Sequence, residues 1–277
     1  MIIFYFGGFI SSYKGHSIGA IILSALFFPN PIFIAMALIG ANLPDFDHDI
    51  KKISLYKMII IGLLLSIFLY ALNLPFYIGI ILCILPVIFY FSNHRGFTHS
   101  LLGIFILSIL LSLVFVMGVA IISPILSPLG LFNQNFSQEL IVMSSFNELI
   151  AISLVIMGLA ILTLNKKIIT PFLILFLYIV LFLPEGISMY YVPFYNNLYS
   201  YISIISPFIS YNSYKILMFI YFPIFLGLLS HLILDSLSPS GIELFRPFSS
   251  RRFHLSYLKL LILASFFLIL YYFIYFF

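Results

Sequence analysis

Charged side chains are scarce in this sequence. Only 7% of its 277 residues are Asp, Glu, Lys or Arg, whereas 64% are hydrophobic and the mean hydropathy is +1.24. A soluble domain needs about 25% charged residues to cover its surface, so this composition excludes an ordinary soluble domain. A lipid bilayer is therefore the predicted solvent of the chain.

Cysteine is almost absent, because Cys83 is the only one. It lies inside an apolar run and can form neither an internal disulfide nor a thiolate metal cluster. Residues 1–12 lack a basic start and a small-residue cleavage site, so no cleavable signal peptide is expected. The formal net charge of +4 comes from Lys and Arg scattered through short loops, so direct nucleic-acid binding is not expected.

Long apolar runs accompany this scarcity of charge. Runs such as 100–123 and 257–277 reach the ~20 residues that a helix needs to cross a bilayer. Helices rather than alternating strands are the expected spanning element. We predict an all-α, polytopic integral membrane helical bundle that forms a single domain over residues 1–277, with about eight or nine membrane segments.

Helix breakers divide two of these regions into hairpins. Asn30-Pro31 lies midway in 17–43, which predicts a short N-terminal helical hairpin, and Asn73-Leu74-Pro75 lies midway in 58–92, which predicts a second hairpin. Further crossings are predicted at 100–123, 149–164, 168–184, 214–235 and 257–277, with 185–213 as an interfacial loop or short helix. In this topology one face carries eleven Lys and Arg and the opposite face only Lys215, so the first face is expected to be cytoplasmic and the protein a multi-pass protein of the cell membrane.

The few Asp and His residues collect in three short segments. All four Asp and four of the six His lie in G-A-N-L-P-D-F-D-H-D (40–49), N-H-R-G-F-T-H-S (93–100) and S-H-L-I-L-D (230–235). The predicted topology places these segments on one face. A carboxylate near hydrocarbon is costly unless it is paired or bound to metal, so a shared metal site is favoured over isolated charges.

His231 and Asp235 are four residues apart, so on a helix they project from one side and can bind one ion. A structural His–Asp hydrogen bond that locks helices is the alternative. Asp45 and Asp47 follow Pro44, which is expected to end the preceding helix and to hold the loop extended.

The remaining ligand candidates each have an ordinary structural alternative. Asp49 is a candidate ligand or an N-cap. His94 and His99 bracket Gly96, where a sharp bend could bring two imidazoles to one centre, or they are interfacial histidines. Thr98 and Ser100 are candidate nucleophiles, although hydroxyls beside histidine more often hydrogen-bond to a ligand.

Four more residues lie on the predicted site face. His16 is a ligand or an interfacial packing residue, and His254 is expected to be an interfacial residue near anionic lipid. Arg95 and Arg246 could steady an anionic substrate or anchor the topology.

Imidazole and carboxylate without thiolate suit Zn²⁺, Mn²⁺ or Fe²⁺ better than Mg²⁺ or Ca²⁺. One or two ions held in this way would activate a water by lowering its pKa. The predicted metal ligands are His16, Asp45, Asp47, His48, His94, His99, His231 and Asp235.

These motifs resemble those of the YdjM-like family of membrane-bound metal-dependent hydrolases. The family pattern is an early His, then L-P-D-x-D-H, then H-R-x-x-T-H-S, and late in the chain S-H-x-x-x-D followed by Gly and Pro. The matching positions here are His16, Leu43 to His48, His94 to Ser100, and Ser230 to Asp235 with Gly241 and Pro247. The resemblance covers 14–105 and 227–248, whereas 106–226 is a possible insertion that shapes the substrate pocket. Ser238 stands where the family often has Thr.

The resemblance implies metal ligation and hydrolysis. A more distant similarity to zinc-dependent phospholipases C and single-strand nucleases favours a phosphoester or lipid-like substrate, attacked by a metal-activated water at the cytoplasmic face. Membrane lipid and a small-molecule or lipid substrate are the expected partners. The expected catalytic residues are Asp45, His94, Arg95 and His99.

A metal-ion transporter or a non-catalytic membrane scaffold is the alternative, because intramembrane Asp and His also serve ion pathways. Transport would place charged ligands near the middle of the membrane, whereas here they gather at one predicted face.

Overall fold

The computed structural model describes residues 12–47, 52–92, 95–126, 146–182 and 217–256, together with 259, 264, 265, 268 and 269. Within these ranges the α-helices are α1 (Tyr13–Phe27), α2 (Pro31–Asn42), α3 (Lys52–Ala71), α4 (Tyr77–Phe91), α5 (Leu101–Leu126), α6 (Phe146–Thr163), α7 (Lys166–Phe182) and α8 (Phe222–Ser236). Short 3₁₀ turns span Pro44–Asp47 and Phe97–His99, and a π-helical turn, Leu217–Tyr221, leads into α8. The predicted all-α class is confirmed for the described residues, in which β-pairing is limited to an isolated bridge between Ile242 and Phe253.

The predicted N-terminal hairpin is formed by α1 and α2, which pack against each other. The break falls where the sequence places it, because Asn30 caps α2 by accepting a hydrogen bond from the Ile32 N–H at 2.8 Å. Pro31 occupies the first position of the helix, where its missing N–H costs nothing.

The second predicted hairpin is formed by α3 and α4. Its turn contains Asn73 in the left-handed region at φ 55° and the predicted breaker Pro75. Gly62 and Gly79 let the two backbones approach closely, because a Cβ on Gly62 would lie 2.7 Å from the carbonyl oxygen of Gly79. Both hairpin predictions are therefore confirmed.

The centre of the bundle is α2 packed against α8. Ten of the twelve residues of α2 are buried, so this helix is apolar on all sides. A Cβ on Gly40 would lie 2.5 Å from the Ile224 carbonyl oxygen, and a Cβ on Gly227 would overlap the carbonyl of Ala37. The two backbones are thus in direct contact, and this contact sets the last turns of α8 beside the end of α2.

Among the described residues, two helical segments are long and apolar enough to cross a membrane, Leu101–Ile122 within α5 and Phe219–Ser236, which ends with α8. Leu55–Ala71, Tyr77–Phe91 and Ile150–Thr163 are apolar but shorter. Eight or nine membrane segments are therefore not confirmed by helix length. The predicted interfacial stretch 185–213 and most of the predicted crossing 257–277 lie outside the described residues, and the single domain and the insertion at 106–226 stay predictions.

The two candidate spans share one end. Helix α5 begins at Leu101, whose N–H donates to the carbonyl of Leu244 at 3.0 Å, and α8 ends at Ser236, whose carbonyl accepts from the Leu255 N–H at 2.8 Å. The loop 237–256 therefore contacts the first residue of one span and the last residue of the other. The two helices pack against each other. Helix α5 begins at this end of the bundle, whereas α8 ends there.

Candidate metal centre

Side chains from four separate segments meet at this shared end of the bundle. They are His16 on the first turn of α1, Asp45 and Asp47 on the 3₁₀ turn after α2, His99 on the 3₁₀ turn before α5, and His231 and Asp235 on α8. The three histidines and Asp235 are at most 2% exposed. The structure thus places polar groups from distant parts of the sequence in one buried position.

Three ligand atoms form a nearly equilateral triangle. His99 Nε2 lies 3.0 Å from His231 Nε2 and 3.2 Å from Asp235 Oδ2, and His231 Nε2 lies 3.4 Å from the same oxygen. Ligand atoms around a tetrahedral Zn²⁺, with bonds of about 2.0–2.1 Å, are about 3.3 Å apart. The three distances fit three ligands of one divalent ion.

The other nitrogen of each of these imidazoles has its own partner. His231 Nδ1 lies 2.7 Å from the Ala41 carbonyl oxygen, which can only accept, so Nδ1 carries the proton. His99 Nδ1 lies 3.2 Å from Asp47 Oδ2 and donates to this carboxylate. In the neutral rings, which are the forms that bind metal, both Nε2 lone pairs are then directed at the triangle, an arrangement that is typical of metal-bound histidine.

The two aspartates of the first motif point to different sides of His99. Asp45 Oδ1 lies 3.7 Å from His231 Nε2 and forms with His99 and His231 a group whose ligand atoms all lie within 4.8 Å of one another. Asp47 contacts the far nitrogen of His99 instead. The predicted extended loop is wrong, because Pro44–Asp47 forms a 3₁₀ turn. With three residues per turn, side chains two positions apart diverge, so Asp45 reaches the ligand group and Asp47 supports His99.

His16 adds a further candidate ligand. Its ring stacks on His231 with centroids 3.8 Å apart, and its Nε2 lies 3.5 Å from Asp235 Oδ1. His16, His231 and Asp235 form the second group able to hold a metal. Both ring nitrogens of His16 are buried without a hydrogen-bond partner in the described part of the chain. A buried imidazole with two unmet polar atoms is costly, and a cation would satisfy one of them.

Thr98 and Ser92 form a second layer behind His99. The Thr98 hydroxyl donates to Asp47 Oδ2 at 2.5 Å and lies 3.2 Å from His99 Nδ1. Ser92 Oγ accepts from the Thr98 N–H at 3.2 Å. Of the two roles considered for Thr98, the structure supports the hydrogen-bonding one. Ser92 was not anticipated, because nothing in its sequence neighbourhood separates it from an ordinary helix-end serine.

Arg95 is held beside Asp235 by contacts with the end of α8. Its Nη1 donates to Ser238 Oγ at 2.6 Å, and its Nη2 lies 3.7 Å from Asp235 Oδ1. Ser238 in turn donates to the Asp235 carbonyl at 2.7 Å. The backbone of Arg95 has φ 62°, a left-handed conformation that is uncommon outside Gly and Asn. Ser238 therefore links Arg95 to the end of α8, a role that its sequence position alone did not indicate.

Other predicted site residues lie elsewhere. His48, Asp49 and His94 are outside the described residues, so their roles stay predictions. Ser100 accepts from the Gly103 N–H at 3.0 Å and thus caps α5. Arg246 pairs with Glu243, and the exposed His254 belongs to neither ligand group found among the described residues.

The surroundings of His99 favour positive charge, whereas burial lowers the pKa of the neighbouring His16 to about 3. Burial alone would lower the pKa of His99, but its contacts with Asp235 and Asp47 raise this pKa to about 10. The side chains of Asp47 and Asp235 are 0% and 3% exposed, so water screens their charge little. A divalent cation among the Nε2 atoms would compensate the same carboxylates, and the donor set of nitrogen and oxygen suits Zn²⁺, Mn²⁺ or Fe²⁺.

These features define an all-helical protein whose described residues include two helices able to cross a membrane and buried His and Asp groups that could bind a metal ion. The family model described as YdjM inner membrane protein matches residues 13–276, nearly the whole chain. The chain therefore belongs to the YdjM family, as its motifs predict. No curated protein and no solved structure matches the chain.

Proposed function

We propose that this protein is a multi-pass, membrane-embedded metal-dependent hydrolase that acts on a phosphoester or lipid-like substrate at the cytoplasmic face. The observation that carries the proposal is the triangle of His99 Nε2, His231 Nε2 and Asp235 Oδ2, with edges of 3.0 to 3.4 Å. Zn²⁺ is the expected ion, with Mn²⁺ or Fe²⁺ as alternatives.

The residues that would hold the ion are those of the triangle, and His16 lies within reach on the Asp235 Oδ1 side. A divalent ion held by these groups supplies Lewis-acid activation of a water molecule. Asp47 and the Ala41 carbonyl keep the protons of His99 and His231 on Nδ1 and fix both ring orientations.

Two side chains define the accessible side of the centre. Asp45 is 23% exposed and Arg95 is 20% exposed, whereas the other described members of the centre are nearly inaccessible. A substrate therefore approaches between these two residues. The Asp45 carboxylate is placed to accept a proton from the attacking water, and the Arg95 guanidinium to bind an anionic oxygen of the substrate.

The position of the centre supports a membrane-face site. It lies at the end shared by the two candidate spans, so a bilayer that contains these helices leaves the centre at its surface. Basic residues collect at the same end, where they favour the cytoplasmic side. Those described there are Lys14, Arg95, Arg246, Arg251 and Arg252.

The test combines metal analysis with a hydrolysis screen. Purified protein would be loaded with Zn²⁺, Mn²⁺ or Fe²⁺ and assayed with bis(p-nitrophenyl) phosphate and with phospholipid in nanodiscs. We expect Asp235→Asn to lose bound metal and Asp45→Asn to lose turnover. Glu243→Gln makes the same carboxylate-to-amide change outside the centre and should retain both properties.

Three outcomes decide between the candidate functions. Metal-dependent hydrolysis that is lost in both aspartate variants supports the hydrolase. Stoichiometric metal binding without hydrolysis of either substrate class contradicts it and favours a transporter or scaffold. Unchanged metal content in Asp235→Asn removes the proposed centre.

A further inference from the structure

The loop 237–256 is ordered although it follows the end of α8. Ile242 and Phe253 exchange two backbone hydrogen bonds, with N···O distances of 3.1 and 2.7 Å. Ile242 is buried, and Gly241 adopts φ 61° where a Cβ would lie 2.7 Å from His254 Cε1. The side chains of this loop are therefore presented in fixed positions.

Two large apolar side chains of the loop point away from the protein. Phe248 is 88% exposed and Phe245 is 56% exposed. Both residues lie in a stretch of consecutive turns at 244–248. At the end of this stretch the Ser249 N–H donates to the Phe245 carbonyl at 3.1 Å. A pair of exposed phenylalanines on an ordered loop is unfavourable in water and indicates a surface that binds something apolar.

The same loop carries positive charge. It contains three arginines and one glutamate, a net charge of +2, and Arg251 and Arg252 are exposed. Glu243 is paired with Arg246, so it does not neutralise the exposed pair. Aromatic side chains beside arginines match a bilayer surface, where acyl chains and anionic phosphates lie within a few ångströms of each other.

The position of the loop specifies which part of the bilayer it meets. The loop contacts the ends of both candidate spans, Leu101 and Ser236, so it lies at headgroup level whenever these helices are in a membrane. We propose that the loop 237–256 is a docking surface for anionic phospholipid, with Phe245 and Phe248 inserted among the acyl chains and Arg251 and Arg252 on the phosphates. This proposal goes beyond the proposed hydrolase function. Contact of the loop with lipid can be measured in a protein that hydrolyses nothing.

The absence of tryptophan from this chain allows a single-site test. Phe248→Trp would be reconstituted in phosphatidylcholine vesicles that contain either phosphatidylglycerol or phosphatidylcholine brominated on the acyl chains. We expect blue-shifted emission, with quenching that is strong in brominated phosphatidylglycerol and weaker in brominated phosphatidylcholine. Leu113→Trp, at an exposed position on the span Leu101–Ile122, reports in the same vesicles that the protein is inserted.

The arginines are tested by lipid preference. Each arginine should raise the preference for brominated phosphatidylglycerol over brominated phosphatidylcholine by about fivefold, which is equivalent to ~1 kcal/mol. Quenching of Phe248→Trp measures this preference. Adding Arg251→Gln and Arg252→Gln should remove this preference and leave the quenching itself. A water-exposed, unquenched indole at position 248 in vesicles that quench Leu113→Trp would overturn the proposal. Equal quenching by the two lipids would overturn it as well, because the surface would then have no anionic specificity.

Discussion

In the described part of this protein, two helix pairs bring their backbones together at glycines, but only one of these pairs ends in the candidate metal centre. In the inner pair, α2 and α8, Gly40 and Gly227 bring the backbones into contact. In the outer pair, α3 and α4, Gly62 and Gly79 do the same. The inner pair is covered by α1, α5 and α6, whereas the outer pair exposes many large apolar side chains along its length.

Neighbouring helices cover the inner pair more fully than the outer pair, and this difference decides which pair can carry buried polar groups. Residues 58–91 contain no Asp, Glu, Lys, Arg or His, as expected for helices with a lipid-facing side. The inner pair ends in His231 and Asp235, which are shielded by neighbouring helices and satisfied by other polar groups. Close helix packing is therefore common to both pairs, whereas the buried polar groups of the candidate metal centre lie at the end of the pair that neighbouring helices also cover.

The largest expected effect comes from removing an inner-pair ligand. His231→Ala deletes one corner of the triangle, and we expect at least a hundredfold loss of metal affinity, more than the ~10–100-fold typical of outer-shell changes. Metal content after dialysis against competing chelator measures it. His254→Ala, at an exposed histidine outside the ligand groups, is the matched control and should bind as the wild type does. Similar losses in both variants would mean that the effect is not specific to the centre.

The next largest effect distinguishes the two glycine contacts directly. Gly227→Ala places a methyl group against the Ala37 carbonyl, and Gly79→Ala places one against Gly62. Each should lower the free energy of unfolding by about 3 kcal/mol, the upper range for overpacking. Thermal unfolding in detergent measures the loss.

Only Gly227→Ala should also weaken metal binding, because it moves α8 away from α2. If Gly79→Ala reduces metal affinity equally, the separation between inner and outer pairs is wrong.

A smaller effect on metal affinity is expected from a residue that supports a ligand through hydrogen bonds. Thr98→Val removes the hydroxyl that donates to Asp47, and we expect metal affinity to fall by ~10-fold or somewhat more. Isothermal titration with Zn²⁺ measures the change. Thr163→Val is the control, because its buried hydroxyl donates only to the Leu159 carbonyl of its own helix at 2.8 Å. An unchanged affinity in Thr98→Val would show that Asp47 holds His99 without help.

The smallest effect concerns Ser100. Ser100→Ala removes the cap of α5 and should cost about 1 kcal/mol of stability while metal binding remains. Hydrolysis, once a substrate is known, should also remain, because the structure gives this hydroxyl a capping role. Complete loss of turnover with intact metal content would instead identify Ser100 as a nucleophile.

The features that the sequence predicts best are local. Asn30-Pro31 and the Asn73-Leu74-Pro75 turn break helices through their own backbone chemistry, so both hairpins could be located in advance. The four-residue spacing of His231 and Asp235 likewise needs only a helix. The number of membrane segments is less accessible, because helices such as Tyr77–Phe91 are apolar but shorter than the candidate spans.

The remaining details of the centre depend on contacts between distant residues. The different directions of Asp45 and Asp47 follow from a 3₁₀ turn that the prolyl motif did not reveal. The proton on His231 Nδ1 is fixed by the carbonyl of Ala41, and a backbone carbonyl has no signature in a sequence. Ser238 is linked to Arg95, a residue 143 positions away whose backbone takes a left-handed conformation that the sequence does not indicate.

The hydrogen bond from His231 Nδ1 to the Ala41 carbonyl serves both the candidate metal centre and the end of helix α2. The last carbonyls of a helix lack partners within that helix, and the Ala41 carbonyl, one residue before the end of α2, finds its partner in the imidazole of His231. An ion that immobilises this imidazole also secures the final turn of α2. Amide hydrogens in that turn should then exchange with deuterium more slowly in the metal-loaded protein. Exchange in the N-terminal hairpin would thus report whether a metal ion occupies a centre that is assembled largely from later parts of the chain.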